Sequence, residues 1–298
     1  MRKRTRVALL LAAGVLVTLG LLITFPGSEP KYEGKPLAYW IEPFKGESTP
    51  EQAHANIAIH ALCAGRVPAL LADMEYDPLP RIAKWRNVMQ RLPRFLRTSA
   101  LARLALADPR AERAYVAQLA LRALGQDDPR VSIGLSRLMQ STNFVVSFRA
   151  CWTMSYLGTN GLAWLVRVAS QTTNTVARVQ ALDHMAHLTY LGTNAIPAIS
   201  ILATSARETN FAVARFAVIA LGQLRLQPEI STAALQAALG NPDLRCRREA
   251  LISLRAFGSA AIPALTNALA DPDPLTQKEA ASVLELIAPT TFTNAAVH

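Results

Sequence analysis

The sequence predicts an all-α fold: an α-solenoid of about seven to eight stacked helical hairpins, preceded by one N-terminal transmembrane helix. Three observations predict it. An alanine recurs every 30–36 residues with apolar partners at fixed offsets, an Asn or Asp precedes each alanine by seven positions, and prolines open the segments between.

The alanines are Ala150, Ala181, Ala217, Ala250 and Ala280, spaced by 31, 36, 33 and 30 residues. Four positions later stand Met154, Met185, Leu221, Leu254 and Leu284, and seven positions later Leu157, Leu188, Leu224, Phe257 and Ile287. Offsets of 0, +4 and +7 place all three on one side of a helix, the pattern of a buried stripe. Each such helix is termed a B helix.

Seven positions before the alanines are Asn143, Asn174, Asn210, Asp243 and Asp273. These short side chains favour helix N-caps because they accept a bond from an otherwise unpaired backbone N–H. The preceding segments read as partner A helices. Val67-Pro68-Ala69-Leu70, Ile196-Pro197-Ala198-Ile199 and Ile262-Pro263-Ala264-Leu265 put proline in a first turn, where no intrahelical bond is lost. Gly158, Gly192 and Gly258 follow B-helix ends, where a left-handed residue closes the last turn.

Extended backwards, the frame takes in Ala117, Leu121 and Leu124, weakly Trp85, Met89 and Leu92, then Ala55, Ile59 and Leu62. Ser48-Thr49-Pro50-Glu51 has the spacing of a capping box before that first helix. The frame is weakest over Asp73–Arg97, where Asp77-Pro78-Leu79-Pro80 predicts an inserted loop.

Paired helices, the Ile/Val-Pro-Ala-Leu opening, the Asn/Asp turn and a basic residue shortly before the B-helix alanine together resemble HEAT repeats. They also resemble the related phycobilisome-lyase-type HEAT-like repeats. The basic residues are Arg149, Arg178, Arg215, Arg247 and Lys278. The resemblance covers about residues 48–288, most securely 128–288, and implies the fold. Tyr32 to Ile41, with Gly34-Lys35-Pro36-Leu37 and Trp40, also resembles a short element that precedes the repeats in many bacterial anchored HEAT proteins. Physically, Trp40 and Ile41 suit a cap over the exposed end of the first repeat.

The N-terminus reads as an address. Val7–Phe25 is a 19-residue stretch without a charge, preceded by Arg2, Lys3, Arg4 and Arg6. As a helix it would span roughly 28 Å, about the hydrocarbon thickness of a bilayer. Cations before the run keep that side in the cytoplasm. The end Ile23-Thr24-Phe25-Pro26 offers no Ala-x-Ala-like cleavage site. The expected organisation is a basic cytoplasmic segment 1–6, an anchor 7–25 and a linker with cap 26–47. The repeats 48–288 and a tail 289–298 follow. The expected place is a bacterial inner membrane with the repeats outside the cytoplasm; secretion after cleavage is the alternative.

Function is less legible. The net charge of +10, four units of it in the N-terminal cluster, suits nucleic acid, anionic lipid or an acidic protein and selects none. Cys63, Cys151 and Cys246 lack metal or redox spacing and read as small buried thiols. His184 and His187 could share a metal with a further ligand. With Met185 and Leu188 on the core face, however, both fall on its flank or outside and read as a solvated polar face. No catalytic constellation, metal site or cofactor motif is found. A ladder of basic residues could bind phosphate, but bonding to turns of neighbouring units accounts for it better, without interleaved stacking aromatics. Nucleic acid is therefore disfavoured as a partner.

Phe148, Trp152 and Tyr156 run i, i+4, i+8 on the side of their helix opposite Ala150 and Met154. They pack between units or anchor a partner. The candidate partner-binding residues are Phe148, Trp152, Tyr156, Arg149 and Trp40. The expected function is a non-catalytic scaffold for a protein or peptide, displayed from the membrane through Val7–Phe25. Two alternatives follow from the resemblance alone: a lyase like the chromophore-attaching HEAT-like proteins, and a DNA-binding protein like the HEAT-like glycosylases.

Overall fold

Helix after helix in the structure begins at an Asn or Asp. In the computed structural model of the chain, residues 30–45, 51–90, 108–125 and 127–288 are described, without the side chains of 85–90. The basic segment 1–6, the anchor Val7–Phe25, Ser48–Pro50, Leu92 and the tail 289–298 lie outside the described residues, as do the side chains of Trp85 and Met89. The chain divides into two units, Met1–Leu62 and Cys63–His298.

In the first unit, strands β1 (Lys31–Tyr32) and β2 (Lys35–Pro36) pair antiparallel. Glu33 and Gly34, both at positive φ, form the turn between them, the backbone that a tight two-residue hairpin requires. Helix α1 (Leu37–Trp40) follows, then α2 (Glu51–Cys63). Trp40 is buried and stacks on His54 of α2, with ring centroids 5.2 Å apart. Its Nε1 donates to the Tyr32 carbonyl over 3.3 Å. Ile41, Phe44, Ala55 and Ile59 complete this small core.

The second unit holds the repeats. Its A helices are α3 (Val67–Met74), α6 (Pro129–Met139), α8 (Gly158–Gln171), α10 (Ile199–Ser205), α12 (Pro228–Leu239) and α14 (Ile262–Ala268). Helix α4 (Leu79–Gln90) follows α3 in the chain, and its Arg81 pairs with Asp108 at the start of the next B helix over 3.5 Å. The B helices are α5 (Pro109–Leu124), α7 (Phe144–Ser155), α9 (Thr175–Ala186), α11 (Phe211–Leu224), α13 (Leu244–Arg255) and α15 (Pro274–Ile287). Each A helix packs on its B helix, and each B helix packs on the next in an unbroken series from α5 to α15. Six hairpins are thus complete among the described residues.

The alanine frame is the core. Ala117, Ala150, Ala181, Ala217, Ala250 and Ala280 are buried, as are Leu121, Met154, Met185, Leu221, Leu254 and Leu284. At +7, Leu124, Leu157, Leu188 and Leu224 are buried, whereas Phe257 and Ile287 are only half-buried. Each fully hidden Leu or Met contributes about 1.5–3 kcal/mol. Asn143, Asn174, Asn210, Asp243 and Asp273 each accept backbone N–H bonds from the first turn of their helix. Asp108 and Asp128 cap α5 and α6 in the same way.

Gly158, Gly192 and Gly258 all adopt positive φ. After α11 the corresponding turn has no glycine, and Arg225 takes the left-handed conformation instead, at φ 54°. Close packing has its own glycine. A Cβ on Gly222 of α11 would lie 2.9 Å from the Ser253 backbone of α13, so glycine permits this approach of neighbouring B helices.

One expectation needs correction. Within the weak stretch Asp73–Arg97 the sequence reads Asp77-Pro78-Leu79-Pro80 as an inserted loop, yet Leu79 and Pro80 open helix α4, Leu79–Gln90, which contains the weakly framed positions 85 and 89. Asp77 accepts the Leu79 N–H at 2.8 Å, and Pro80 lies in the first turn, so residues that read as a loop are a helix start. The region is nonetheless an insertion: α3 packs directly on α5, and Tyr76 Oη donates to Asp108 Oδ2 over 2.8 Å where its ends meet.

Candidate functional site

Helix α7 owes its place to two faces that the repeat consumes. Val146, Ala150 and Met154 are buried, as are Ser147, Cys151 and Thr153. What remains is the row Phe144, Phe148, Trp152 and Tyr156, one residue every fourth position. Such a row winds slowly along a helix and forms a continuous strip. Phe144, Phe148 and Tyr156 are exposed, the last two by 37% and 38%, and Trp152 is half-buried.

The strip is pre-arranged by its neighbours. Phe144 and Phe148 stack at 6.1 Å, and Trp152 and Tyr156 meet at 4.6 Å. From α5, the Arg122 guanidinium lies 3.8 Å from the Tyr156 ring centre and 5.9 Å from that of Trp152, a cation–π arrangement. Burial lowers the Arg122 pKa, although nearby tyrosines oppose the shift. Tyr190 extends the surface, its Oη donating to the Ser155 carbonyl over 2.6 Å. The strip thus touches flanking units while three of its four residues remain exposed. Aromatic surfaces held rigid in this way lose little side-chain entropy on binding.

Two of the sequence-derived candidates lie elsewhere. Arg149 turns inward and donates to the carbonyls of Met74, at 3.2 Å, and of Tyr76. Trp40 is spent inside the N-terminal unit. Phe144 belongs to the strip and is not among those candidates, although its spacing from Phe148 repeats the same four-residue step.

The basic ladder is internally bonded over most of its length. Arg178 pairs with Glu208 in the next turn, Arg215 with Glu249 at 2.9 Å, and Arg247 with Asp273 at 3.2 Å. These bonds tie successive hairpins together and leave the guanidiniums partly occupied; Lys278 is exposed. The three cysteines are free and buried. Burial pushes the thiols of Cys63 and Cys246 up to about 11, which suppresses thiolate chemistry.

The reading of His184 and His187 as one solvated polar face fails for His184. His187 is exposed, but His184 is only 2% exposed, packed against the Phe148 ring with centroids 5.0 Å apart. The outward flank of a single hairpin becomes an interior once the preceding B helix, α7, is laid beside it. Burial, and then the electrostatic effect of the neighbouring His187, push the His184 pKa down to about 4. The imidazole is therefore neutral at physiological pH.

A separate groove of about 310 Å³ lies between α6 and α8, lined by Ser136, Gln140, Trp164, Arg167, Gln171 and Thr172. This lining brings no carboxylate, imidazole or thiol together and so supplies no general base.

A family model described as HEAT repeats matches residues 197–285. No curated protein matches the chain. Among solved structures, an engineered protein aligns at 18% identity over 86% of this chain and 69% of its own, with a TM-score of 0.40. Human deoxyhypusine hydroxylase in complex with glycerol aligns at 17% identity over 75% of this chain and 96% of its own, with a TM-score of 0.29.

Proposed function

We propose that this chain, which carries HEAT repeats at residues 197–285, is a non-catalytic scaffold that binds a protein or peptide on the aromatic strip of α7. The observation that carries the reading is that strip. Arg122 lies over the Tyr156 ring and Tyr190 bonds to the Ser155 carbonyl, while Phe144, Phe148, Tyr156 and Tyr190 remain exposed. Rigid aromatics beside a cation suit an extended peptide with apolar anchors and an acidic or backbone-carbonyl contact. Display from the membrane through Val7–Phe25 is part of the proposal, supported by the length of the uncharged run and the cations before it.

Proximity labelling in the native cell, with the tag after His298, tests compartment and neighbours together. Neighbours outside the cytoplasm that disappear in a Phe148→Ala/Tyr156→Ala variant of unchanged melting temperature support the proposal. An unchanged neighbour set in that variant removes the strip from it, and labelling confined to cytoplasmic proteins removes the display.

A further inference from the structure

We propose that Asp183, His184 and His187 of α9 form a binding site for a divalent transition cation of the zinc type. One donor atom from each side chain converges, all within 4.8 Å of one another. The set is graded from inside to outside: His184 is buried, Asp183 half-buried and His187 exposed, so an ion can enter from solvent.

The position of His184 in the repeat argues for a ligand. Three residues after the frame alanine, the other B helices carry Ala120, Thr153, Ala220 and Ser253, all buried, and Val283, half-buried. The site lies where neighbouring B helices press together, and small residues suit it. The two hydroxyls there are satisfied, Thr153 by the Arg149 carbonyl and Ser253 by the Val218 carbonyl. His184 breaks both habits. It is bulky, and neither Nδ1 nor Nε2 has a hydrogen-bond partner among the described residues. The Phe148 carbonyl acts on the ring without reaching hydrogen-bond geometry. Leaving a buried polar group unpaired costs about 1–3 kcal/mol. One turn earlier on the same face, the buried Oε1 of Gln180 is also unpaired.

A cation would satisfy the buried nitrogen and the neighbouring carboxylate together. Asp183 is half-buried beside that nitrogen, within 4.8 Å of both imidazole donors. An unpaired imidazole nitrogen offers a lone pair, the donor that such ions take. Two imidazoles and one carboxylate suit zinc-like ions, at bond lengths of about 2.0–2.2 Å. Closing the donors onto one ion requires rotation of the half-buried Asp183 and exposed His187 side chains. Three protein ligands leave a fourth position open to water or to a donor from a bound partner.

The test uses the untagged full chain, purified in detergent and stripped with chelator, titrated with Zn²⁺ and with Co²⁺. The expected result is one ion per chain, a raised melting temperature and Co²⁺ absorption bands of a four- or five-coordinate site. His187→Ala and Asp183→Asn, at side chains that reach solvent, should each weaken binding about tenfold or more while circular dichroism is unchanged. A His54→Ala/His60→Ala control should bind like the parent. Absence of saturable binding, or affinity and Co²⁺ spectrum unaltered in both variants, overturns the site. Because the readout is the metal alone, its failure leaves the peptide-binding proposal standing, and the reverse also holds.

Discussion

Helices α7 and α9 hide the same side as α11 and α13 but present different ones. At positions −2, +2 and +6 from the frame alanine, α7 carries Phe148, Trp152 and Tyr156, and α9 carries Val179, Asp183 and His187. At the same positions α11 carries Arg215, Ile219 and Gln223, and α13 carries Arg248, Ile252 and Ala256. Only the hidden positions answer to packing, which must suit each neighbouring hairpin. The outward positions are free of that demand, and there α7 and α9 concentrate rings and metal-type donors while α11 and α13 carry aliphatics and partly paired arginines. Chemistry in this chain is thus a local departure from a repeating background.

The comparison breaks most easily on the shared side. Leu221→Ala and Leu254→Ala should each cost about 3 kcal/mol in denaturant unfolding, with Met154→Ala and Met185→Ala costing similarly. A much smaller loss in one helix would mean that the frame is not common to all.

Acid should separate α9 from α11 almost as strongly. His184 titrates near 4 when folded, against an ordinary value of 6.5. Below the ordinary value the unfolded chain takes up a proton that the folded chain refuses, so stability falls as pH drops. In metal-free protein the loss should begin near pH 6.5 and reach up to about 3 kcal/mol near pH 4. A His184→Ala variant should lack this contribution, because the α11 counterpart is already Ala220.

Smaller effects sharpen the account of helix spacing. Gly222→Ala forces a methyl against Ser253 and should cost about 2 kcal/mol by thermal or denaturant unfolding. Arg225→Gly relieves a left-handed non-glycine residue and should gain about 0.5–1 kcal/mol. Ile252→Ala, on the exposed side of α13, should change stability by no more than about 0.5 kcal/mol.

Most of the fold was legible because its signals are local. A cap, a stripe and a turn glycine each act within one hairpin, and Asn143, Met154 and Gly158 behave as their spacing predicts. What lay between hairpins was not. His184 projects to the flank of its own helix, and only the neighbouring α7 turns that flank into an interior. The small residues at +3 in the other units were the available signal. The acidic partners of Arg178, Arg215 and Arg247 sit at different frame positions, so no single spacing reveals them. Arg225 was missed because the turn lacks the glycine that normally marks it. The start of helix α4 was hidden by Pro78 and Pro80, which mark a loop or a first turn alike. The aromatic strip was visible except for Phe144.

The central claim is that the hidden side of α7 makes the fold while its outward side makes the contact. Replacing Phe148, Trp152 and Tyr156 with their α11 counterparts, as Phe148→Arg/Trp152→Ile/Tyr156→Gln, tests it in one protein. The measurement is site-specific photo-crosslinking in the native cell from Phe144, read beside the denaturant midpoint. The account predicts a helical protein within about 1 kcal/mol of the parent whose crosslinked partner is lost. Unfolding of the variant, or crosslinks identical to those of the parent, would contradict it.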